Sequence, residues 1–355
     1  MNTTSPKFPW LDLINQPAFC VENDKIIATN SAAEARMIEI GTHVKDFVAD
    51  SYSDYSTFCN GKLHLTVCIS GIYCKADVSK IDGFNVFVLE KENATEQLQS
   101  LAVAAQQLRI PLMNVITITE QLWNNLGQTT PKTQNATNQV KQNLYQLMRI
   151  IGNMSDASYY QSSASCELYH TNLTALFQEI IEKARTATKK TGIAIHYTGI
   201  DSPLITLADP EKLERAVFNM LSNALKFTER SLPVEITFSV KETTASFSVC
   251  NSYSSEQYAL SFWNRYGREP SIEDSRNGLG LGMALITSTA LCHGGTVLID
   301  YPTKDKIRVT MTIAIRCDTS TAVRSPILKI SDYAGCRDKT LLELSEILTP
   351  DSYTD

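Results

Sequence analysis

The segment that decides the fold is Asn219-Met220-Leu221-Ser222-Asn223-Ala224-Leu225-Lys226-Phe227. Its apolar residues recur at helical spacing, and Asn219, Asn223 and Lys226 follow one another at intervals of four and three residues on the opposite face. An amide oxygen is a ligand for Mg²⁺, and an ammonium group binds phosphate. Taken alone, this pattern is that of an ordinary amphipathic helix.

A second motif lies about sixty residues downstream. The run Gly278-Leu279-Gly280-Leu281-Gly282 opens a helical stretch that ends before His293-Gly294-Gly295. Alternating glycines let backbone amides approach a phosphate closely, and the helix that begins there adds the positive end of its dipole. The two motifs together indicate a nucleotide site rather than a plain helix pair.

At this spacing the two motifs resemble the ATP-binding domain of sensor histidine kinases and their GHKL relatives. The resemblance covers residues 93–316 and implies an α/β sandwich over residues 165–316, which would bind ATP with Mg²⁺. It implies that Asn223 coordinates Mg²⁺, that Lys226 contacts phosphate and that Asn219 assists them. Gly278, Gly280 and Gly282 would approach the nucleotide. Residues 252–277 would form the lid, and Phe262 and Tyr266 would anchor it.

The sequence departs from the family at the first glycine box. Where the family has Asp-x-Gly-x-Gly, this chain has Asn251-Ser252-Tyr253-Ser254-Ser255. Asn251 still offers a carbonyl oxygen to the adenine amine, but it lacks the charge that strengthens such a bond. The loss of about 1–1.5 kcal/mol would weaken binding roughly tenfold. Side chains at Tyr253 and Ser255 are expected to narrow the pocket.

Two heptad helices are predicted over residues 93–164. The first seam steps by three and four residues through Leu98, Leu101, Ala105, Leu108, Leu112, Val115, Thr119 and Leu122. The second follows Thr130-Pro131, a capping residue with proline at the first helical position. Two antiparallel helices cannot bury both seams alone, so the pattern predicts a homodimeric four-helix bundle.

Residue 106 lies on the first of these helices, in Ala105-Gln106-Gln107-Leu108-Arg109-Ile110-Pro111-Leu112. The run resembles the acceptor box of the same family, in which a histidine takes the phosphoryl group. Gln106 has no nucleophile, because an amide nitrogen delocalises its lone pair into the carbonyl. With Ala105 at heptad position a, Gln106 falls at b and Ile110 at f, on the solvent side. Gln107 and Ile110 replace the supporting glutamate and threonine.

Residues 1–92 are predicted to form a separate α/β unit. Strand-like runs at 18–21 and 25–29 precede a helical stretch at 31–37, and three further strands follow at 63–69, 72–78 and 85–90. This order resembles a PAS sensor domain, for which the sequence identifies no ligand. Residues 317–355 contain one amphipathic stretch, 341–348, that reads either as part of a mobile tail or as a docking helix.

Composition limits the function classes. The net charge of −6 argues against nucleic-acid binding. No apolar run reaches the length of a membrane span, and the N-terminus lacks a signal pattern. Nine cysteines without a zinc or paired spacing read as reduced thiols, so we expect a cytoplasmic protein.

These features predict a multidomain α+β sensor of two-component signalling that does not autophosphorylate. It would act as a dimeric regulator, docking a response regulator or pairing with a competent histidine kinase, with ATP as a structural ligand. Two alternatives stay open. The chain could phosphorylate a partner in trans, or it could be a ligand-sensing adaptor that binds no ATP.

Overall fold

The structure is a computed structural model of the 355-residue chain. It describes residues 8–48, 51–69, 72–89, 94–125, 130–157, 166–228, 232–252, 281–303, 305–316 and 338–353. Within these ranges, every helix is too short or too polar to cross a membrane.

The N-terminal unit is an antiparallel sheet of five strands: β1 (Ala18–Glu22), β2 (Lys25–Thr29), β3 (Lys62–Ile69), β4 (Ile72–Ile81) and β5 (Phe84–Leu89). Their order is β2-β1-β5-β4-β3, and the short helices α1 (Ser31–Glu34) and α2 (Tyr52–Thr57) lie between the second and third strands in sequence. Stacked and edge-on phenylalanines, among them Phe19, Phe47 and Phe87, fill its core. All five predicted strands are present.

Two long helices follow, α3 (Ala94–Asn125) and α4 (Pro131–Ala157), which pack against each other. Helix α4 begins as predicted, since the Thr133 amide donates to the Thr130 hydroxyl over 3.3 Å. Buried Ile116, Leu144 and Met148 form the core between the helices. The predicted seam residues Leu108, Val115 and Leu122 are instead more than half exposed.

The third unit has a mixed sheet covered by helices. Its strands, in chain order, are β6 (Tyr169–Asn172), β7 (Ile195–Thr198), β8 (Ile205–Ala208), β9 (Val234–Lys241), β10 (Thr244–Ser252), β11 (Val297–Thr303) and β12 (Lys306–Ala314). Strands β6 and β8 pair with each other in a separate two-stranded sheet, and the other five form the mixed sheet in the order β11-β12-β10-β9-β7. Its helices are α5 (Leu173–Thr188), α6 (Pro210–Phe227) and α7 (Leu281–Cys292). Strand β7 runs parallel to β9, and the remaining pairs are antiparallel. The helices bury their apolar faces against this sheet.

The five-stranded sheet of the N-terminal unit and the mixed sheet of the third unit are joined edge to edge. Strand β3 pairs antiparallel with β11, with His64 opposite Val297, which gives one ten-stranded sheet. A Cβ at Gly61 would lie 1.9 Å from the Ile299 carbonyl oxygen, so the turn before β3 comes too close for a side chain. Asp54 adds side-chain hydrogen bonds between the two units, because its carboxylate accepts from the hydroxyl groups of Thr296 and Thr312. The N-terminal unit is therefore hydrogen-bonded directly to the third unit.

The C-terminal segment, residues 338–353, docks onto the protein. Helix α8 (Lys339–Glu343) begins at Asp338, whose carboxylate accepts from the Thr340 amide over 2.7 Å. A 3-10 turn (Pro350–Tyr353) follows. The predicted helical stretch at 341–348 is thus shorter and starts earlier, because the chain turns at residue 344 to bury Leu344 and Leu348.

The expectation of reduced thiols is contradicted for two of the nine cysteines, whereas the other five that the structure describes are free. The structure joins Cys166 and Cys292 in a disulfide, with a Cα–Cα distance of 6.1 Å. The two residues are 126 positions apart, so no local spacing could have indicated the pair. The fold brings the chain entering β6 to the end of α7, where the two thiols meet.

Candidate nucleotide site

The site is built on α6 and α7, which are fixed relative to each other at one end. Asp209 caps α6, because its carboxylate accepts from the Lys212 amide over 3.1 Å. The amide of Asp209 in turn donates to Nε2 of His293, over 2.9 Å. Nδ1 of His293 lies 2.7 Å from the Thr289 carbonyl, so this nitrogen carries the proton. Burial lowers the pKa of His293, which keeps the ring in this neutral bonding role.

Gly294 and Gly295, which follow His293, also keep α7 close to the sheet. A Cβ at Gly295 would lie 1.9 Å from the carbonyl oxygen of Thr312 on β12. Gly294 has a left-handed backbone with φ of +70°. The His-Gly-Gly motif thus turns the chain sharply from α7 into β11, and its described role is structural.

The polar row on α6 faces the start of α7. Asn219 is only 2% exposed, and its amide nitrogen donates to the Arg215 carbonyl over 2.9 Å. A Cβ at Gly282 would lie 3.0 Å from the Asn219 side-chain oxygen and 3.9 Å from the Asn223 side-chain nitrogen. Gly282 therefore lets α7 approach both asparagines. This approach explains why a polar residue predicted for an open helix face is buried.

A small pocket lies beside these residues. Asn223 and Asn251 line it together with apolar side chains. Asn251, at the end of β10, is buried and donates from its side-chain nitrogen to the Ser252 carbonyl over 3.2 Å. The apolar lining consists of Met220, Ala224, Val249, Met283, Ile286 and Val309. The fold thus brings together Asn219, Asn223, Gly282 and Asn251, four of the residues predicted for the nucleotide site.

Lys226 has a different neighbour. Its ammonium group lies 2.8 Å from the Glu346 carboxylate, in the docked C-terminal segment. Burial raises the pKa of Glu346, but the charge of Arg149 and the hydrogen bond from Lys226 outweigh it and lower the pKa. Lys226, which was predicted to bind phosphate, is therefore held in an ion pair in this structure and does not line the pocket.

Several predicted features lie outside the described residues. These are Gly278 and Gly280, the lid over residues 253–277 with Phe262 and Tyr266, and the positions of Tyr253 and Ser255. Gly282 is the one glycine of the turn that lies in the described part of the chain.

The acceptor position lies on helix α3. The backbone at Gln106 is helical, whereas its side chain is outside the described set, so the predicted exposure of that side chain stays a prediction. Gln107 is exposed, and Ile110 is 69% exposed, as the heptad register predicts for position f. Pro111 lies inside the helix, which runs on to Asn125. This surface bears an amide and an apolar side chain beside residue 106.

A possible metal set does not fit its surroundings. Cys166, Cys292 and His293 bring their ligand atoms within 4.8 Å of one another. Both ring nitrogens of His293, however, already serve the backbone of Asp209 and Thr289. The two sulfurs are joined to each other. The cluster is better described as a structural junction than as a metal site.

Four charged residues next to the site were not among the residues predicted from the sequence. Glu343 and Glu346 of the C-terminal segment face Arg149 on α4, and Arg215 on α6 also contacts Glu343. The one available signal was the spacing of the two glutamates, which puts both acids on one side of the predicted stretch 341–348. Nothing in the sequence indicated that these glutamates form ion pairs with basic residues some 120 to 200 positions away.

Comparisons with known proteins agree on one relationship. The family model of histidine kinase-, DNA gyrase B- and HSP90-like ATPases matches residues 208–318. The sensor histidine kinase CusS of Escherichia coli O6:H1 is 24% identical over 213 residues, which are 58% of this chain and 43% of CusS. The circadian input-output histidine kinase CikA of Synechococcus elongatus is 27% identical over 212 residues, 56% of this chain and 28% of CikA.

One solved structure is full-length ShkA in complex with AMPPNP, at 19% identity and a TM-score of 0.49. The match covers 62% of this chain and 47% of ShkA. The chain spans less than half the length of CusS and CikA.

Proposed function

Since the chain belongs to the sensor histidine kinase family and carries a GHKL-type ATPase domain, we propose that it is a two-component regulator that binds ATP but does not phosphorylate itself. The observation that carries this proposal is a contrast between two helices. Helix α6 keeps Asn219 and Asn223 against Gly282 and beside the pocket. Helix α3 carries Gln106 where the reaction needs a nucleophile.

The residues present suit an Mg-ATP ligand. Gly282 lets α7 approach Asn219 closely, and a phosphate bound at the start of α7 would meet no side chain at residue 282. Asn223 would hold Mg²⁺ through its amide oxygen. Asn251 already donates its nitrogen to Ser252, so its oxygen is the atom left to accept from adenine. Bound Mg-ATP would supply an activated γ-phosphoryl group, for which α3 offers no acceptor histidine.

The domain arrangement that we propose is a PAS-like unit over residues 1–92, a dimerisation hairpin over 93–164, the ATP-binding domain over 165–316 and the C-terminal segment over 317–355. The strand order β2-β1-β5-β4-β3 supports the first assignment. Exposed Leu108, Val115 and Leu122 support the second, because a four-helix homodimer would cover them. The ligand of the PAS-like unit is open.

The partners that we propose are a response regulator or a competent histidine kinase, both reached through the hairpin of a cytoplasmic dimer. The retained α6 site also suits phosphorylation of such a partner in trans. Mixing the chain with candidate partners and labelled ATP separates the two modes, because a regulator leaves the partner unlabelled.

Calorimetric titration with Mg-ATP tests the nucleotide site itself. We expect saturable binding by the wild-type chain that is weakened at least tenfold in Asn223→Ala. Asn143→Ala, an exposed asparagine on α4, is the matched control and should bind like wild type. Heat identical to that of buffer in all three chains would contradict the proposal and favour an adaptor that binds no ATP.

A further inference from the structure

The C-terminal segment joins two hydrophobic cores. Leu342 packs into the cluster between the hairpin helices, with Ile116, Leu144 and Met148. Leu344, Leu348 and Tyr353 are buried in the core of the ATPase domain. A segment of sixteen residues thus contributes apolar side chains to both units. Burial of this kind stabilises their contact through the hydrophobic effect.

Two glutamates of the segment bridge the same two units by charge. Glu343 is fully buried and lies 3.5 Å from Nε of both Arg149 on α4 and Arg215 on α6. Glu346 lies 3.3 Å from Nη1 of Arg149 and 2.8 Å from the ammonium group of Lys226. A buried carboxylate requires such partners, since an unpaired charge is costly to remove from water. The basic residues Arg149, Arg215 and Lys226 therefore form a receptor for an acidic segment.

Helix α4 also recognises the backbone of the segment. The Gln142 side chain donates to the carbonyls of Ser345 and Leu348 over 3.2 and 2.7 Å. Gln146 donates to the Ser345 carbonyl over 3.0 Å. Both carbonyls lie beyond Glu343, the last residue of α8, so these bonds hold the chain that follows the helix. Charge, apolar contacts and backbone hydrogen bonds thus all place the segment at one position.

We propose that residues 338–353 act as a latch that holds the ATPase domain against the hairpin and competes with nucleotide phosphate for Lys226. The inference rests on the proposed function, in which Lys226 contacts phosphate. Glu346 and a phosphate oxygen are both anions and would use the same ammonium group. Nucleotide binding and latch release are then linked, because each state uses Lys226 in a different ion pair.

The test compares Mg-ATP affinity in the full chain and in Glu346→Gln. The substitution keeps the apolar anchors and Glu343 but removes the competing charge, so we expect affinity to rise about fivefold. Glu182→Gln changes an exposed glutamate on α5 and should leave affinity unchanged. In the background of Lys226→Gln, the effect of Glu346→Gln should disappear, because the shared cation is gone. Circular dichroism checks that each variant is folded.

The outcomes distinguish a failure of the latch proposal from a failure of the proposed ATP site. Tighter binding by Glu346→Gln that depends on Lys226 supports the latch. Equal affinity in wild type and Glu346→Gln overturns the latch and leaves the ATP site standing. Absence of binding in every variant overturns the ATP site, and the latch with it.

A second readout follows the segment directly. Hydrogen exchange at residues 339–348 should speed up when Mg-ATP is added to the wild-type chain, since Glu346 then loses Lys226. Exchange that stays unchanged at saturating nucleotide would contradict the coupling between ligand and latch.

Discussion

In the proposed function, helix α6 holds the nucleotide, whereas helix α3 lacks the residue that would accept its phosphoryl group. On α6, the proposed nucleotide contacts depend on amides and a nearby glycine, and the fold places Asn219 and Asn223 beside Gly282. On α3, the chemistry depends on one imidazole nitrogen, which Gln106 does not provide. We expect a binding site made of several weak contacts to tolerate partial loss, such as Asn251 in place of the family's aspartate, whereas the loss of a nucleophile abolishes its reaction.

Restoring the acceptor should produce the largest change. We expect Gln106→His combined with Gln107→Glu to become labelled by γ-³²P-ATP, because the pair restores a neutral ring nitrogen and the carboxylate beside it. The wild-type chain should give no label, so the change is from none to measurable. Gln121→His, on the same helix, is the control. An unlabelled double variant that still binds ATP would show that the defect extends beyond these two residues.

Removing Asn223 should have the next largest effect. Loss of a hydrogen-bonding or metal-binding amide costs about 1.5–3 kcal/mol when its partner is charged, so Mg-ATP affinity should fall at least tenfold. Calorimetric titration with Mg-ATP, with Asn143→Ala as the control, measures this loss of affinity. An unchanged affinity would place the nucleotide elsewhere than beside α6.

Gly282→Ala should weaken nucleotide binding less. The added methyl group would lie 3.0 Å from the Asn219 oxygen, so either the Asn219 side chain or α7 must move by a few tenths of an ångström. Crowding of this size costs about 1 kcal/mol, or about fivefold in affinity. Gly152→Ala is the matched control, because its methyl group meets only Arg215 at 3.5 Å. Equal affinity in both variants would mean that the close approach of α7 is not needed.

These predictions rest on features that the sequence revealed to different degrees. The start of α4 at Pro131 was predicted from the capping pair Thr130-Pro131, and the predicted strand at 25–29 matches β2 in both bounds. Local hydrogen bonds and periodicity determine such elements. The pairing of β3 with β11 was not predictable, because a strand edge carries no mark of its partner.

In the candidate site, too, local motifs were predictable from the sequence and long-range contacts were not. Asn219, Asn223 and Gly282 were predicted from two motifs, and the fold brings them together. The partner of Lys226 was missed, because Glu346 is 120 residues away and the sequence left its stretch, 341–348, open between a mobile tail and a docking helix. Long-range charge pairs depend on the tertiary fold rather than on local sequence.

The smallest predicted effect is a pH dependence at the latch. The pKa of Glu346 is lowered below its ordinary 4.5, because Arg149 and Lys226 together outweigh the effect of burial. A lowered pKa means that this carboxylate stabilises the folded state above pH 4.5 and that its contribution is lost as the pH falls through the folded-state value. Wild type should therefore exceed Glu346→Gln in stability by about 0.5–1 kcal/mol at neutral pH.

Urea unfolding between pH 7 and pH 3 checks this dependence. The difference between the two chains should shrink below pH 4.5, whereas Glu182→Gln should show no such trend. A difference that is constant with pH would mean that the Glu346 charge contributes nothing to stability.

The contrast between α3 and α6 is tested most directly by incubating the wild-type chain alone with γ-³²P-ATP and Mg²⁺, beside calorimetry on the same sample. We predict saturable binding that depends on Asn223 and no stable incorporation of label. Stable label on the wild-type chain that is lost in Asn223→Ala would contradict the account, because it would require a phosphoryl acceptor other than residue 106.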